Sequence, residues 1–148
     1  MELKFNSVQE VINFVNEINS NGEVNRNNDF VVLDCGDYKL MVSDRRGDSN
    51  NYDESMTWRF TQRWVDEKCN DVELGGFGDW VVPTKEELDL IYKNKSKFTG
   101  KDKFTYCYWS SSEDSSATAW FHDFREGEQD FISKISTFKV RGVRRIYG

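Results

Sequence analysis

The chain is poor in the residues that build catalytic and metal centres. It has one histidine, one proline and three cysteines in 148 residues. The cysteines (Cys35, Cys69, Cys107) are odd in number and lack CxxC spacing. That argues against the disulfide framework that staples small secreted domains, and against a zinc knuckle. His122 has no His or Cys neighbour in sequence to complete a metal site. No serine stands in a nucleophile elbow. The single proline removes any case for a proline-rich linker, and no apolar run approaches the ~20 residues of a membrane span. Met1-Glu-Leu-Lys-Phe-Asn lacks the basic start and apolar stretch of a secretion leader. The expectation is a cytoplasmic protein without membrane contact, in a reducing compartment.

Aromatic residues are plentiful, at 15% of the chain, which argues against disorder despite a net charge of −6. The length suits one domain over residues 1–148, with roughly two-thirds of the unfolded surface buried on folding. Acids outnumber bases 26 to 20, and unevenly. Residues 1–80 carry 16 acids and 8 bases, a net of −8, whereas residues 81–148 carry 10 and 12, a net of +2. An acidic balance disfavours direct binding of nucleic acid, because phosphate contacts need clustered Lys and Arg.

Residues 7–20 read as an amphipathic helix, with Val8, Val11, Ile12, Val15 and Ile18 on one face and a Ser7/Glu10 capping box. Phe30–Leu33 and Tyr38–Val42 flank Cys35-Gly36-Asp37 as a hairpin. Residues 44–56 are polar and predict an exposed loop, including Arg46-Gly47-Asp48, a tripeptide that some integrin ligands display. Trp58, Thr61, Trp64, Val65 and Cys69 mark the face of a second helix, broken by Gly75-Gly76. Thr84 with Glu87 is a second capping box, opening a helix to about Lys95. The basic run from Lys93 to Lys103 reads as its solvated end and loop. The last third has strand composition: Phe104–Ser110, Thr118–Phe124, Phe131–Ile135 and Phe138–Ile146, with a hairpin turn at Arg125-Glu126-Gly127-Glu128. Helices early and strands late predict an α+β domain with a mainly antiparallel sheet.

Thr57-Trp58, Cys69, Gly75-Gly76-Phe77-Gly78-Asp79-Trp80, Pro83-Thr84-Lys85-Glu86-Glu87-Leu88, Tyr108-Trp109-Ser110-Ser111-Ser112 and Val140-Arg141-Gly142-Val143-Arg144 follow one another in that order. The series resembles the bacterial and phage domain family DUF1566, the Lcl C-terminal-like domain, over residues 57–146. Residues 1–56 read as a helix, hairpin and loop particular to this chain. The resemblance implies a C-type-lectin-like fold, with two or three helices around a twisted, mainly antiparallel sheet. It also implies a binding module rather than a catalyst. Two departures stand out. Val81 replaces an arginine of the pattern, and Gly142 replaces a cysteine, so Cys69 lacks the disulfide partner that the resemblance implies.

The five tryptophans read as core, and Cys69 and Cys107 as small buried hydrophobes. Surface loops are where binding residues concentrate, so Glu113, Asp114, Ser115 and Ser116, with Arg125, Glu126 and Glu128 at the hairpin, are the expected working surface. Asp44, Asp48, Asp53 and Glu54 are acidic loop candidates. No cofactor is expected. Calcium is the one alternative, through Glu113-Asp114 with Asp123 or through Glu126, Glu128 and Asp130, although acids in loops more often mean solvation. The leading reading is a non-catalytic module with a protein partner, acting inside a bacterium or an infected one, such as a phage-encoded inhibitor of host machinery. The alternatives are an adhesin or phage receptor-binder on a virion surface, an acidic nucleic-acid mimic, and last a formylglycine-generating-enzyme-like oxygenase, which needs a matched cysteine pair.

Overall fold

Two short apolar runs around Cys35-Gly36-Asp37 form a hairpin in the computed structural model, which describes residues 30–148. The helix expected over residues 7–20 lies outside that range. Strand β1 (Val31–Asp34) pairs antiparallel with β2 (Lys39–Val42), Val31 opposite Val42. The turn closes through Cys35 N–H to the Tyr38 carbonyl at 2.9 Å. Strand β6 (Val143–Ile146) returns from the C-terminal end of the chain to pair with β2, completing a sheet in the order β1-β2-β6.

The second sheet is a meander of β3 (Cys107–Glu113), β4 (Thr118–Asp123) and β5 (Glu128–Ser133). The fold is therefore α+β with two three-stranded antiparallel sheets, where the sequence reading expected one. The reason lies in residues 138–142, read as part of a continuous last strand. They bridge in turn to Met56, Tyr108 and Asp48, and only Val143–Ile146 pairs as a strand. Strand β5 starts three residues before the expected Phe131, because the tight turn at Arg125–Gly127 puts Glu128 directly opposite Asp123. Gly127 makes that turn possible. Its φ is +79°, and a Cβ there would collide with the Tyr92 hydroxyl.

Helix α1 (Thr61–Val65) is the centre of a longer helical run, led by a 3-10 turn at Trp58–Phe60 and followed by a π turn at Asp66–Asn70. Thr61, Trp64, Val65 and Cys69 are buried, as the apolar stripe predicts, whereas Trp58 at its start is only half-buried. The π turn aims Asn70 at Trp80, where its amide accepts from the backbone N–H at 2.6 Å and donates to the carbonyl at 2.8 Å. That holds the extended segment leading to Pro83. Helix α2 (Lys85–Lys93) begins at the predicted capping box: Glu87 N–H donates to the Thr84 hydroxyl and Thr84 N–H to the Glu87 carboxylate.

The Trp-Ser-Ser-Ser block is a joint between these parts. Trp109 is fully buried and its indole N–H donates to the Met56 carbonyl at 2.8 Å. Ser110 donates to the Trp120 carbonyl across a bulge, Ser111 N–H reaches the Pro83 carbonyl, and the Ser112 hydroxyl accepts from Lys85 N–H at the start of α2. Sheet β1-β2-β6 separates two core clusters. Met41 faces Phe30, Trp64, Trp80 and Val140, whereas Leu40 and Val42 face Leu88, Ile91, Phe98 and Tyr108. Truncating Trp80 or Trp109 to alanine costs about 3–5 kcal/mol by the usual large-to-small penalty.

Cys69 is a buried free thiol, pushed up to about 12 by burial. A Cβ built on Gly142 lies 3.1 Å from its sulfur, close to the roughly 3 Å between a disulfide Cβ and the far sulfur. Gly142→Cys is therefore expected to form a disulfide with Cys69 under oxidising conditions. Closing a loop of roughly 70 residues gives about 4 kcal/mol in the chain-entropy treatment. Intact mass and melting with and without reductant check this; thiols that stay free after oxidation would refute it.

Candidate functional site

The acidic segment of residues 44–54 folds as two 3-10 turns, each opened by an aspartate that accepts a backbone N–H two residues on. This corrects the expectation of an exposed loop in part: Arg45, Arg46 and residues 51–53 are exposed, but the stretch between them turns inward. Asp44 and Asp48 are both buried, so Arg46-Gly47-Asp48 is not displayed. Burial raises the Asp44 carboxyl, but the Arg46 hydrogen bonds overcome it and hold the group below its ordinary value. Asp48 accepts from the Arg141 Nε at 2.7 Å and from the Tyr108 hydroxyl at 2.8 Å. Arg141 is itself buried, and donates also to the carbonyls of Ser43, Asp102 and Lys103. Burial first, and then the Asp48 charge, push the Tyr108 phenol far up.

Asp53 and Glu54, by contrast, reach the surface. They rim a groove of about 470 Å³, with Met56 and Trp64 in its floor and Phe60 and Glu67 along its wall. Phe60 is 53% exposed. Glu54 accepts from the Trp64 indole N–H at 2.8 Å, which fixes both rim and floor. Sequence reasoning missed Phe60 as a candidate. The available signal was its position, off the apolar stripe of Thr61, Trp64 and Val65 on an otherwise amphipathic helix.

The other candidates do not come together. Glu113 to Ser116 sit where β3 turns into β4; Arg125, Glu126 and Glu128 sit where β4 turns into β5. Those turns lie at opposite ends of β4, about 20 Å apart at the usual rise of a strand. In the first turn Glu113 pairs with the buried Lys134 at 2.6 Å. Asp114 accepts from Thr118, and the Ser115 hydroxyl accepts from two backbone N–H groups. The Ser116 carbonyl accepts from Lys134. In the second, Asp123 accepts from the N–H of Arg125 and Glu126, while the Glu126 and Glu128 side chains are exposed.

A half-buried Tyr38–Glu87–Arg145 cluster joins α2 to the first sheet. Glu87 accepts two bonds from Arg145 at 2.8 Å, one from Tyr38 and one from Thr84 N–H. Burial raises its carboxyl, and Arg145 and Tyr38 more than reverse that. Cys35 stands beside this cluster, its thiol raised chiefly by burial. His122 is fully buried with neither ring nitrogen hydrogen-bonded among the described residues. Among the described residues no three His, Cys, Asp or Glu side chains group to hold a metal, and no helix is long and apolar enough to cross a membrane.

The sequence model of the Lcl C-terminal domain family matches residues 34–144. The chain belongs to that family. The match begins at Asp34 rather than at Thr57, so it takes in β2 and the buried aspartates of the two 3-10 turns as well as the motif blocks. No curated protein matches the chain. In this Lcl C-terminal domain, Arg141 of the last motif block is the partner of Asp48.

Asp48→Asn leaves the Arg141 charge buried without its counterion and is expected to destabilise the domain by about 3–5 kcal/mol. Asp53→Asn, on the exposed rim, stays within about 0.5 kcal/mol. Urea unfolding of both variants separates the two roles. A second expectation concerns pH. Glu87 titrates below its ordinary 4.5 in the fold, so its contribution is present above that value and lost as pH falls through the folded value. The urea midpoint should drop below about pH 4.5, and Glu87→Gln should flatten that drop; an unchanged slope would rule the group out.

Proposed function

We propose that this domain is a non-catalytic protein-binding module with a C-type-lectin-like fold, working in the cytoplasm of a bacterium or of a phage-infected cell. One observation carries the reading. An exposed aromatic, Phe60, stands over an apolar floor of Met56 and Trp64, with carboxylates of Asp53, Glu54 and Glu67 around it. A desolvated apolar centre inside a polar rim is the anatomy of a protein-protein hot spot. Arg63 also lines the groove and pairs with Glu67 at 3.1 Å, and Lys139 lies 3.6 Å from Asp53. The three carboxylates still outnumber the one lining arginine, which favours a partner surface carrying Lys or Arg beside an apolar anchor. The chemistry elsewhere supports binding over catalysis. The one imidazole is buried with neither ring nitrogen hydrogen-bonded among the described residues, and burial raises all three thiols, which disfavours an activated nucleophile. Inhibition of host machinery is one form such binding takes. The nucleic-acid-mimic reading is weakened, because Asp44 and Asp48 face inward.

Phe60→Glu tests the reading, since an exposed position tolerates the change without loss of fold. Immobilised wild-type protein should retain a partner from bacterial lysate, and the variant should lose at least nine-tenths of it with melting unchanged. Retention by both proteins, or by neither, would count against this groove as the docking site.

A further inference from the structure

A second cavity lies on the far side of the first sheet, where the net charge of the chain is locally reversed. Residues 93–103 carry five lysines and one aspartate in a chain of net −6. The sequence reading took this run for a solvated tail of α2. In the structure it folds back through two 3-10 turns, Lys95–Lys97 and Gly100–Asp102, which place Phe98 and Phe104 in the core and leave the lysines exposed.

Between the turns and the end of β4 is a cavity of about 260 Å³. Ile91, Phe98, Phe104 and Phe124 line it, and Lys95 and Lys103 stand at its rim. Phe104 and Phe124 stack at 4.5 Å, and Phe98 meets Phe104 edge-on at 5.6 Å. The stacked pair forms one wall of the cavity, and Ile91 and Phe98 complete its apolar lining. The positive charge belongs to the rim. Among the described residues neither Lys95 nor Lys103 makes an ion pair, and Lys95 leans only on the face of Tyr92 at 4.9 Å. His122, packed behind Phe124 at 4.6 Å, is kept neutral by burial at physiological pH and adds no charge. Lys103 also lines a neighbouring polar cavity of about 270 Å³ with Arg45, Asn50 and Thr105, so the cationic side continues past the apolar one.

We propose that this cavity binds a compact amphiphilic anion, a single ring system or short acyl body carrying one carboxylate, sulfonate or phosphate group. The volume lies just under the ~300–1,000 Å³ of pockets that take drug-sized ligands, which sets the size of the apolar body. The anionic group stays at the rim between Lys95 and Lys103, where it keeps part of its hydration. The apolar body gains the water-free walls. The chain as a whole carries −6, so the lysines at this rim are a local reversal of charge that favours an anion here.

Fluorescence titration with anilinonaphthalene sulfonate, an aromatic anion, tests the proposal against its uncharged parent phenylnaphthylamine. The wild type should bind the sulfonate saturably, one per chain, and more weakly as salt rises. Lys95→Glu with Lys103→Glu should weaken the sulfonate at least tenfold and change the uncharged probe less than threefold. Lys97→Glu, in the same turn but outside the lining, should change either probe less than threefold. Amide shifts on sulfonate addition should centre on Ile91, Phe98, Phe104 and Phe124. No saturable binding, equal loss with Lys97→Glu, sulfonate affinity untouched by the double reversal, or shifts centred on Phe60 and Trp64 would each overturn it. None of these outcomes bears on partner capture through Phe60, because that groove lies elsewhere and is read out separately.

Discussion

Arg141 is sealed from water with its guanidinium bonded to Asp48 and to the carbonyls of Ser43, Asp102 and Lys103, and its flat face lies 3.8 Å from the ring centre of Phe104. Those partners belong to the end of β2, the two 3-10 turns after it, the basic segment and the aromatic wall of the second cavity. A buried guanidinium with even one N–H unsatisfied is costly, so all of these segments must be in place together or not at all. The pair is weak as a net source of stability and strong as a constraint. It specifies where the polar stretch after β2 must lie, and hence that Asp53 and Glu54, rather than Asp44 and Asp48, come out at the groove.

Elements whose cause is local were legible in the residues. The Thr84/Glu87 capping box, the first hairpin and the stripe from Thr61 to Cys69 all appear where short-range chemistry places them. What was not legible depends on partners far along the chain. Residues 44–56 are polar enough to read as solvated, yet Asp48 meets an arginine 93 positions later, and nothing within the segment announces it. The same holds for the last strand, which is split by bridges to three different segments. The candidate loops at either end of β4 looked close because they are close in sequence. A strand puts its two ends as far apart as six residues allow.

The uneven charge of the chain takes on a spatial meaning. Three acids, Asp44, Asp48 and Glu87, are buried and each is matched by an arginine, Arg46, Arg141 and Arg145, so the net excess must lie among the other acids. Of these, Asp53, Glu54 and Glu67 edge an open groove around an aromatic. The basic stretch from Lys93 to Lys103 is bent around the other cluster of aromatics. Carboxylates thus cluster beside one set of rings and lysines beside another, on different parts of one small domain.

The approach of Gly142 to Cys69 bears on how readily this fold can gain a covalent cross-link. Single-nucleotide changes convert some glycine codons into cysteine codons, and the backbone already sits where a cross-link needs it. The Val-Arg-Gly-Val-Arg segment is held by its own hydrogen bonds, Ser43 N–H to the Gly142 carbonyl and Gly142 N–H to the Gly47 carbonyl, with no covalent help. One mutational step can therefore fit the same architecture with an oxidation-dependent staple, or remove one, without any other residue having to change.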